Sequence, residues 1–114
     1  VVDKNPLVKQ VAEEIGGLAF ECNVGDAKEA EQVMTTIQNK LGPTRILVNC
    51  AGIAPAKKVV GKDGPMPLSD FEHVINVNLI GTFNFLRLAA YQMAPLETLT
   101  PSGERGVIVN IASI

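Results

Sequence analysis

Short unbroken apolar runs alternate along this chain with longer stretches in which apolar residues recur every third or fourth position. The clearest short run, Ile46-Leu47-Val48, predicts a strand covered on both faces, as parallel strands in α/β proteins are. Val1-Val2-Asp3 reads as the tail of an earlier strand, Leu18 to Cys22 as the next, and Gly106 to Ile111 as the last. The helices between them have recognisable ends. Asn5-Pro6 offers an N-cap and a first turn, Val8, Val11, Ala12 and Ile15 a stripe, and Gly16-Gly17 a left-handed stop. Asp26 and Glu29 have capping-box spacing, Ala30, Val33, Met34, Ile37 and Leu41 continue as a stripe, and Gly42-Pro43 ends it.

The segment from Ala54 to Pro67 is interrupted by Gly61, Gly64, Pro65 and Pro67 and reads as a loop. Ser69-Asp70-Phe71-Glu72 is a further capping box, and the helix it opens runs to about Met93, closed by Pro95. Phe71, Val74, Ile75, Leu79, Phe83, Leu86, Ala90 and Met93 are expected to share one packed face. Val77, Ile80, Phe85 and Leu88 leave little polar surface on the other, so the helix 69–93 is expected to be covered twice, by the sheet and by a second copy in a homo-oligomer. The order is β-α-β-α-β-loop-α-β, and every crossover is long enough to require parallel strands. The fold class expected is α/β, part of a doubly wound parallel sheet.

Composition narrows the function. With 114 residues, 46 % apolar and 19 % charged, the chain suits a single domain with a core. A net charge of −2 without a long block of either sign argues against nucleic acid and anionic membrane and leaves small-molecule chemistry. No apolar run approaches the roughly 20 residues of a membrane helix. No secretory leader is visible, so Cys22 and Cys50 read as reduced thiols of a cytoplasmic or mitochondrial-matrix protein. The chain opens and stops beside predicted strands, and both ends look cut through a fold.

The candidate chemistry lies at the carboxyl ends of the predicted strands, the edge at which open α/β sheets hold ligands. Asp3, Asn23-Val24, Asn49-Cys50-Ala51-Gly52 and Ser113 all fall there. Asn49 can donate and accept at once, and Gly52 allows a positive φ or the close approach of a ligand. Asn78 is a mid-helix amide among apolar neighbours, costly unless satisfied. Ser113 by itself reads as a capping residue after a strand, and with no Gly-x-Ser-x-Gly around it is not a nucleophile. His73 has no second ligand at i+4, so no metal site is expected. Cys50 reads as a small packing residue. Lys57, Lys58 and Lys62 read as a solvated face or as contacts for a phosphorylated substrate such as a coenzyme A ester.

Asn49-Cys50-Ala51-Gly52 resembles the Asn-(Asn/Cys)-Ala-Gly signature that closes the fourth strand of short-chain dehydrogenases/reductases. Asn78-Leu79-Ile80-Gly81 resembles the family's Asn-Leu-x-Gly helix segment, and Asn110-Ile111-Ala112-Ser113 the context of its serine. The wording Leu-Val-Asn-Cys-Ala-Gly-Ile, Val-Asn-Leu-Ile-Gly-Thr-Phe and Arg-Gly-Val-Ile-Val-Asn is most similar to the type II 3-hydroxyacyl-CoA dehydrogenase branch. The resemblance implies a Rossmann-type sheet of order 3-2-1-4-5-6-7 and hydride transfer between NAD and a secondary alcohol or ketone. It further implies that Asp3 holds the adenosine ribose and repels a 2′-phosphate, that Asn23 and Val24 meet adenine, and that residues 49–52 line the cofactor site. By the same resemblance Asn78 joins the helix backbone to a water of a proton relay, and Ser113 polarises the substrate oxygen. Two departures stand out: Asn23 replaces the usual Asp, and Lys4 beside Asp3 is of a type that binds the extra phosphate of NADP.

Against that family the chain lacks the first strand with its Gly-rich turn, the Tyr-x-x-x-Lys pair, and everything after the fifth strand. Tyr91 is no substitute, because Pro95 stands where the Lys would be. The sheet is therefore expected to be incomplete, and the chain alone inactive and unable to hold the native sheet. Two other readings stay open: a non-enzymatic nucleotide-binding or interaction subunit of the same fold, and an unrelated parallel α/β enzyme such as a methyltransferase.

Overall fold

The apolar runs become strands that pair two by two. In the computed structural model, which describes residues 1–112, β1 (Val2–Asp3) lies parallel to β2 (Phe20–Glu21), with Val2 opposite Phe20. β3 (Ile46–Asn49) lies parallel to β6 (Val107–Asn110), which sets Asn49 opposite Asn110. Helix α1 (Val8–Ile15) joins the first pair, and α2 (Ala27–Leu41) leads from it to β3. The second pair is joined by a long helix in three parts: α3 (Leu68–Ile75), a π-helical turn (Asn76–Gly81) and α4 (Thr82–Met93). The segment read as a plain loop contains a short antiparallel hairpin, β4 (Val60–Gly61) and β5 (Gly64–Pro65), turned on Gly64 at φ 127°. Pro65 is tolerated because each hairpin strand is only two residues long and Met66 N–H, donating to Val59 O at 2.9 Å, closes the ladder.

Local hydrogen bonds explain the helix ends. The Asn5 side-chain oxygen accepts from Leu7 N–H (3.0 Å) in a turn, so α1 starts at Val8 rather than at Pro6. Gly16 at φ 67° closes it, Gly17 N–H donating to Ala12 O and Gly16 N–H to Glu13 O. Asp26 caps α2 by accepting from Glu29 N–H (2.9 Å), but the box is not reciprocal, because the Glu29 carboxylate accepts from Asn23 N–H (2.7 Å). The box expected at Ser69 to Glu72 does not form. Helix α3 begins at Leu68 behind Pro67, and Asp70 instead accepts from Lys57 Nζ at 2.6 Å.

Helices α2 and α4 cover one face of the β3/β6 pair. Their core is Cys22, Ala30, Met34, Phe85, Ala89 and Met93, with Leu47 and Ile108 reaching in from the strands. Buried Gln92 ties the layers together, donating to Met34 O (3.2 Å) and accepting from Thr44 N–H (3.0 Å). The opposite face is bare, which corrects the expectation of double cover: Ile46 is 68 % and Val48 51 % exposed, because nothing among the described residues packs on them.

The long helix is also turned from its expected orientation. Val77, Gly81, Asn84, Phe85, Ala89, Gln92 and Met93 are buried, while Phe71, Leu79 and Phe83 of the predicted stripe are exposed. The π turn accounts for the shift beyond it, where Phe83 turns outward and Phe85 inward, whereas Phe71 is exposed before the turn begins. The doubly wound sheet is likewise not continuous. A slot of about 520 Å³, walled by Val2, Ile46 and Val48 among others, separates β1 from β3. The radius of gyration is 16.8 Å, against about 13 Å for a compact chain of this length.

Candidate functional site

Three clefts share walls along the carboxyl ends of the strands. The first is lined by Asp3, Lys4, Cys22, Asn23, Val24, Gly52, Ile53 and Val77. The slot between β1 and β3 shares Asp3, Val24 and Ala51 with it and adds Asn49 and Cys50. The third, about 680 Å³, runs from Cys50 and Gly52 to Asn78, Thr82, Asn110 and Ala112. Asp3, Asn23, Val24, Asn49, Cys50, Ala51, Gly52 and Asn78 thus lie along one rim. Ser113 lies outside the described residues.

The side chains of Asp3, Asn23, Asn49 and Asn78 are each held by an identifiable partner. The Asp3 carboxylate accepts from Asn5 N–H (2.8 Å) through Oδ1. Asn23 folds an Asx turn, its Oδ1 accepting from Gly25 N–H (3.1 Å), so the oxygen expected to meet adenine has a partner within the loop. Asn49 Nδ2 donates to Asn110 Oδ1 (2.9 Å), across the register of the strand pair, and reaches Thr82 O at 3.5 Å. Asn78 clamps the chain after Gly52 at two points: Oδ1 accepts from Ile53 N–H and Nδ2 donates to Ile53 O, both at 2.9 Å. That corrects the expectation that its amide binds the helix backbone. Thr82 Oγ1 instead donates to the Asn78 carbonyl (2.7 Å) within the helix. Gly52 does not use the left-handed region, and a Cβ there would meet only Asn78 Oδ1 at 3.6 Å.

The two cysteines differ. Cys50 is exposed on the slot wall, not packed as expected, because β1 and β3 stand apart there. Cys22 is buried, and burial, with the Glu29 and Asp26 carboxylates adding to it, pushes its thiol up to about 11. Lys57 and Lys58 of the loop after Gly52 do not line the rim clefts, whereas Lys4 does. Lys57 pairs with Asp70, and with Lys58 it borders a separate cleft of about 420 Å³ around the hairpin. His73 borders a groove with Phe71, Asn76 and Ile80. Among the described residues no cluster of three or more metal-binding side chains occurs, and no helix is long and apolar enough to cross a membrane.

Sequence reasoning missed how tightly the Asn23–Asp26 loop lies on the long helix. A Cβ at Gly25 would stand 2.3 Å from Asn76 Nδ2, and one at Gly81 2.5 Å from Val24 Cγ2. It also missed Asn84, which is buried and donates to Val24 O (3.0 Å) and Asp26 O (3.2 Å). An amide between Phe83 and Phe85 in a helix was the available signal.

Parallel strand pairs, helical crossovers and polar groups gathered at the strand ends describe an α/β protein of the parallel-sheet class. The family model described as short chain dehydrogenase matches residues 1–114. The chain is 44 % identical over 107 residues to 3-hydroxyacyl-CoA dehydrogenase type-2 of Rattus norvegicus, covering 90 % of this chain and 41 % of that protein. It is 47 % identical over 94 residues to the Mus musculus protein of that name, covering 81 % of this chain and 36 % of that one. To the Drosophila melanogaster protein of that name it is 39 % identical over 109 residues, covering 92 % and 42 %. The chain spans about two fifths of the length of these curated relatives. It belongs to the short-chain dehydrogenase family, whose oxidoreductases use NAD(P) on a Rossmann fold.

Proposed function

We propose that this chain forms the adenosine-binding side and part of the catalytic wall of an NAD-dependent dehydrogenase acting on a secondary alcohol or ketone of the 3-hydroxyacyl-CoA type. The observation that carries the reading is the common rim, where Asp3, Val24, Asn49 and Asn78, far apart in sequence, border connected clefts. The groups present fit the adenosine end of the cofactor. Asp3 keeps Oδ2 for a ribose hydroxyl while Oδ1 holds Asn5, and a carboxylate there opposes a 2′-phosphate by a few kcal/mol at an effective dielectric near 20. Val24 N–H, without a partner among the described residues, is the donor for the base. NAD, when bound, supplies the hydride acceptor. Asn78 keeps Ile53 and the turn after Gly52 in place beside the third cleft. Ser113, outside the described residues, takes the role of hydrogen-bond donor to the substrate oxygen in this reading.

The same reading assigns the slot and the bare sheet face to chain outside these 114 residues, and the exposed Phe71, Ile80, Phe83 and Tyr91 of the long helix to a second copy. A fluorescence titration of the intact protein with NADH and NADPH, followed by turnover of acetoacetyl-CoA, tests it. Tighter binding of NADH and oxidation of NADH by acetoacetyl-CoA are expected. A preference for NADPH overturns the choice of cofactor, and no turnover overturns the substrate class.

A further inference from the structure

The loop that carries Asn23 and Val24 is fixed from behind by a side chain with no part in the site as described above. Asn84, in the first turn of α4, is 4 % exposed. Its amide is fully engaged: Nδ2 donates to Val24 O (3.0 Å) and Asp26 O (3.2 Å), and Oδ1 accepts from Arg87 Nε (3.0 Å) and Nη2 (2.7 Å). The same guanidinium pairs with Glu31 of α2 at 2.9 Å. The amide has one workable orientation. Turned round, its oxygen would face two carbonyls and its NH₂ a guanidinium.

This grip decides which backbone group the loop offers. Asn23 N–H donates to Glu29, Gly25 N–H to Asn23 Oδ1, and Asp26 N–H to Asn23 O at 2.9 Å. Val24 N–H is the one left without a partner among the described residues. In a planar trans peptide the Asn23 carbonyl and the Val24 N–H point opposite ways. With the carbonyl turned into the loop toward Asp26, the Val24 N–H is turned out of it, on a residue that lines the cleft with Asp3. Asn84 holds the next carbonyl, that of Val24, so the loop cannot roll without losing two hydrogen bonds inside a buried site.

We infer that Asn84, held in turn by Arg87 and Glu31, is a positioning residue for the adenine half of the dinucleotide, setting the Val24 amide from a helix that does not border that cleft through Asn84. The inference rests on the NAD reading above. The test uses the intact protein and two probes, NADH and reduced nicotinamide mononucleotide, which lacks the adenosine, with Kd from nicotinamide fluorescence and Tm measured alongside. In Asn84→Leu the Kd for NADH is expected to rise about tenfold, the scale of one lost hydrogen bond, while that for the mononucleotide stays within about twofold. Arg87→Gln, at a half-exposed position, is expected to raise the NADH Kd about threefold in the same selective way, and it carries the test if Asn84→Leu does not fold. Equal weakening of both probes, or a lowered Tm with NADH affinity unchanged, overturns the inference. A wild-type protein that binds NADH no tighter than the mononucleotide overturns the cofactor reading as well. An adenosine advantage that survives both substitutions overturns the positioning role alone.

Discussion

One face of the β3/β6 pair is packed and the other is bare. Under α2 and α4, Ala30 and Ala89 are fully covered at 0 % exposure, and Leu47 and Ile108 project among Met34, Phe85 and Met93. On the far face Ile46 and Val48 remain 68 % and 51 % exposed, and the Val11 and Ile15 half of the α1 stripe is open as well. The residue types on the two faces are alike, so the difference lies in what stands opposite. A parallel sheet is stable with both faces covered. The packed layer is covered within this chain, and the bare one has no cover among the described residues.

The largest effect is expected from taking the 114-residue chain alone. Its circular dichroism melt should be gradual, because the open slot and bare face withhold apolar burial from a fold whose typical net stability is only roughly 5–15 kcal/mol. A sharp transition independent of concentration would break the comparison. In the intact protein, Phe85→Ala is expected to cost about 3–5 kcal/mol in urea denaturation. Ile46→Ala should then cost about 2–5 kcal/mol if its face is covered there, whereas a change below about 0.5 kcal/mol marks a residue that stays in water.

Next in size is Gly81→Ala, whose new methyl would lie 2.5 Å from Val24 Cγ2. Overpacking of this kind costs about 1–3 kcal/mol, and an unchanged midpoint would show that the loop does not rest on the helix. The smallest effect concerns the thiols. Cys50 should react with a thiol reagent in the native protein at neutral pH and Cys22 only on unfolding, as mass spectrometry of labelled peptides will read. The Cys22 pKa is raised from 9.0 to about 11 in the fold. Its contribution to stability is therefore fully present below about pH 9 and is lost as the pH rises through about 11. Equal labelling of both cysteines would place Cys22 outside the core.

What could be read from the residues was mostly local. Gly16, Gly42-Pro43 and the Asp26 cap act over a few positions, and each falls where the spacing put it. Asp3, Asn49 and Asn78 were singled out by the strand-end rule and by an amide in an apolar helix, and they do share one rim. The rest depends on partners distant in sequence. Asn84 meets Val24 and Asn49 meets Asn110 across about sixty residues, and a periodicity reading treats a polar Asn84 or Gln92 as outward-facing. The π turn at Asn76–Gly81 leaves no mark in an apolar pattern, so Phe83 and Phe85 beyond it were assigned to the wrong faces.

The slot has a consequence for the chain in a cell. Among the described residues Val2–Asp3 and Ile46–Asn49 each pair along one edge only, which leaves the edges that face the slot open to an extended peptide. By itself, such a polypeptide is expected to associate through those edges. Its yield on expression would then follow protein concentration more closely than any change to its outer charges.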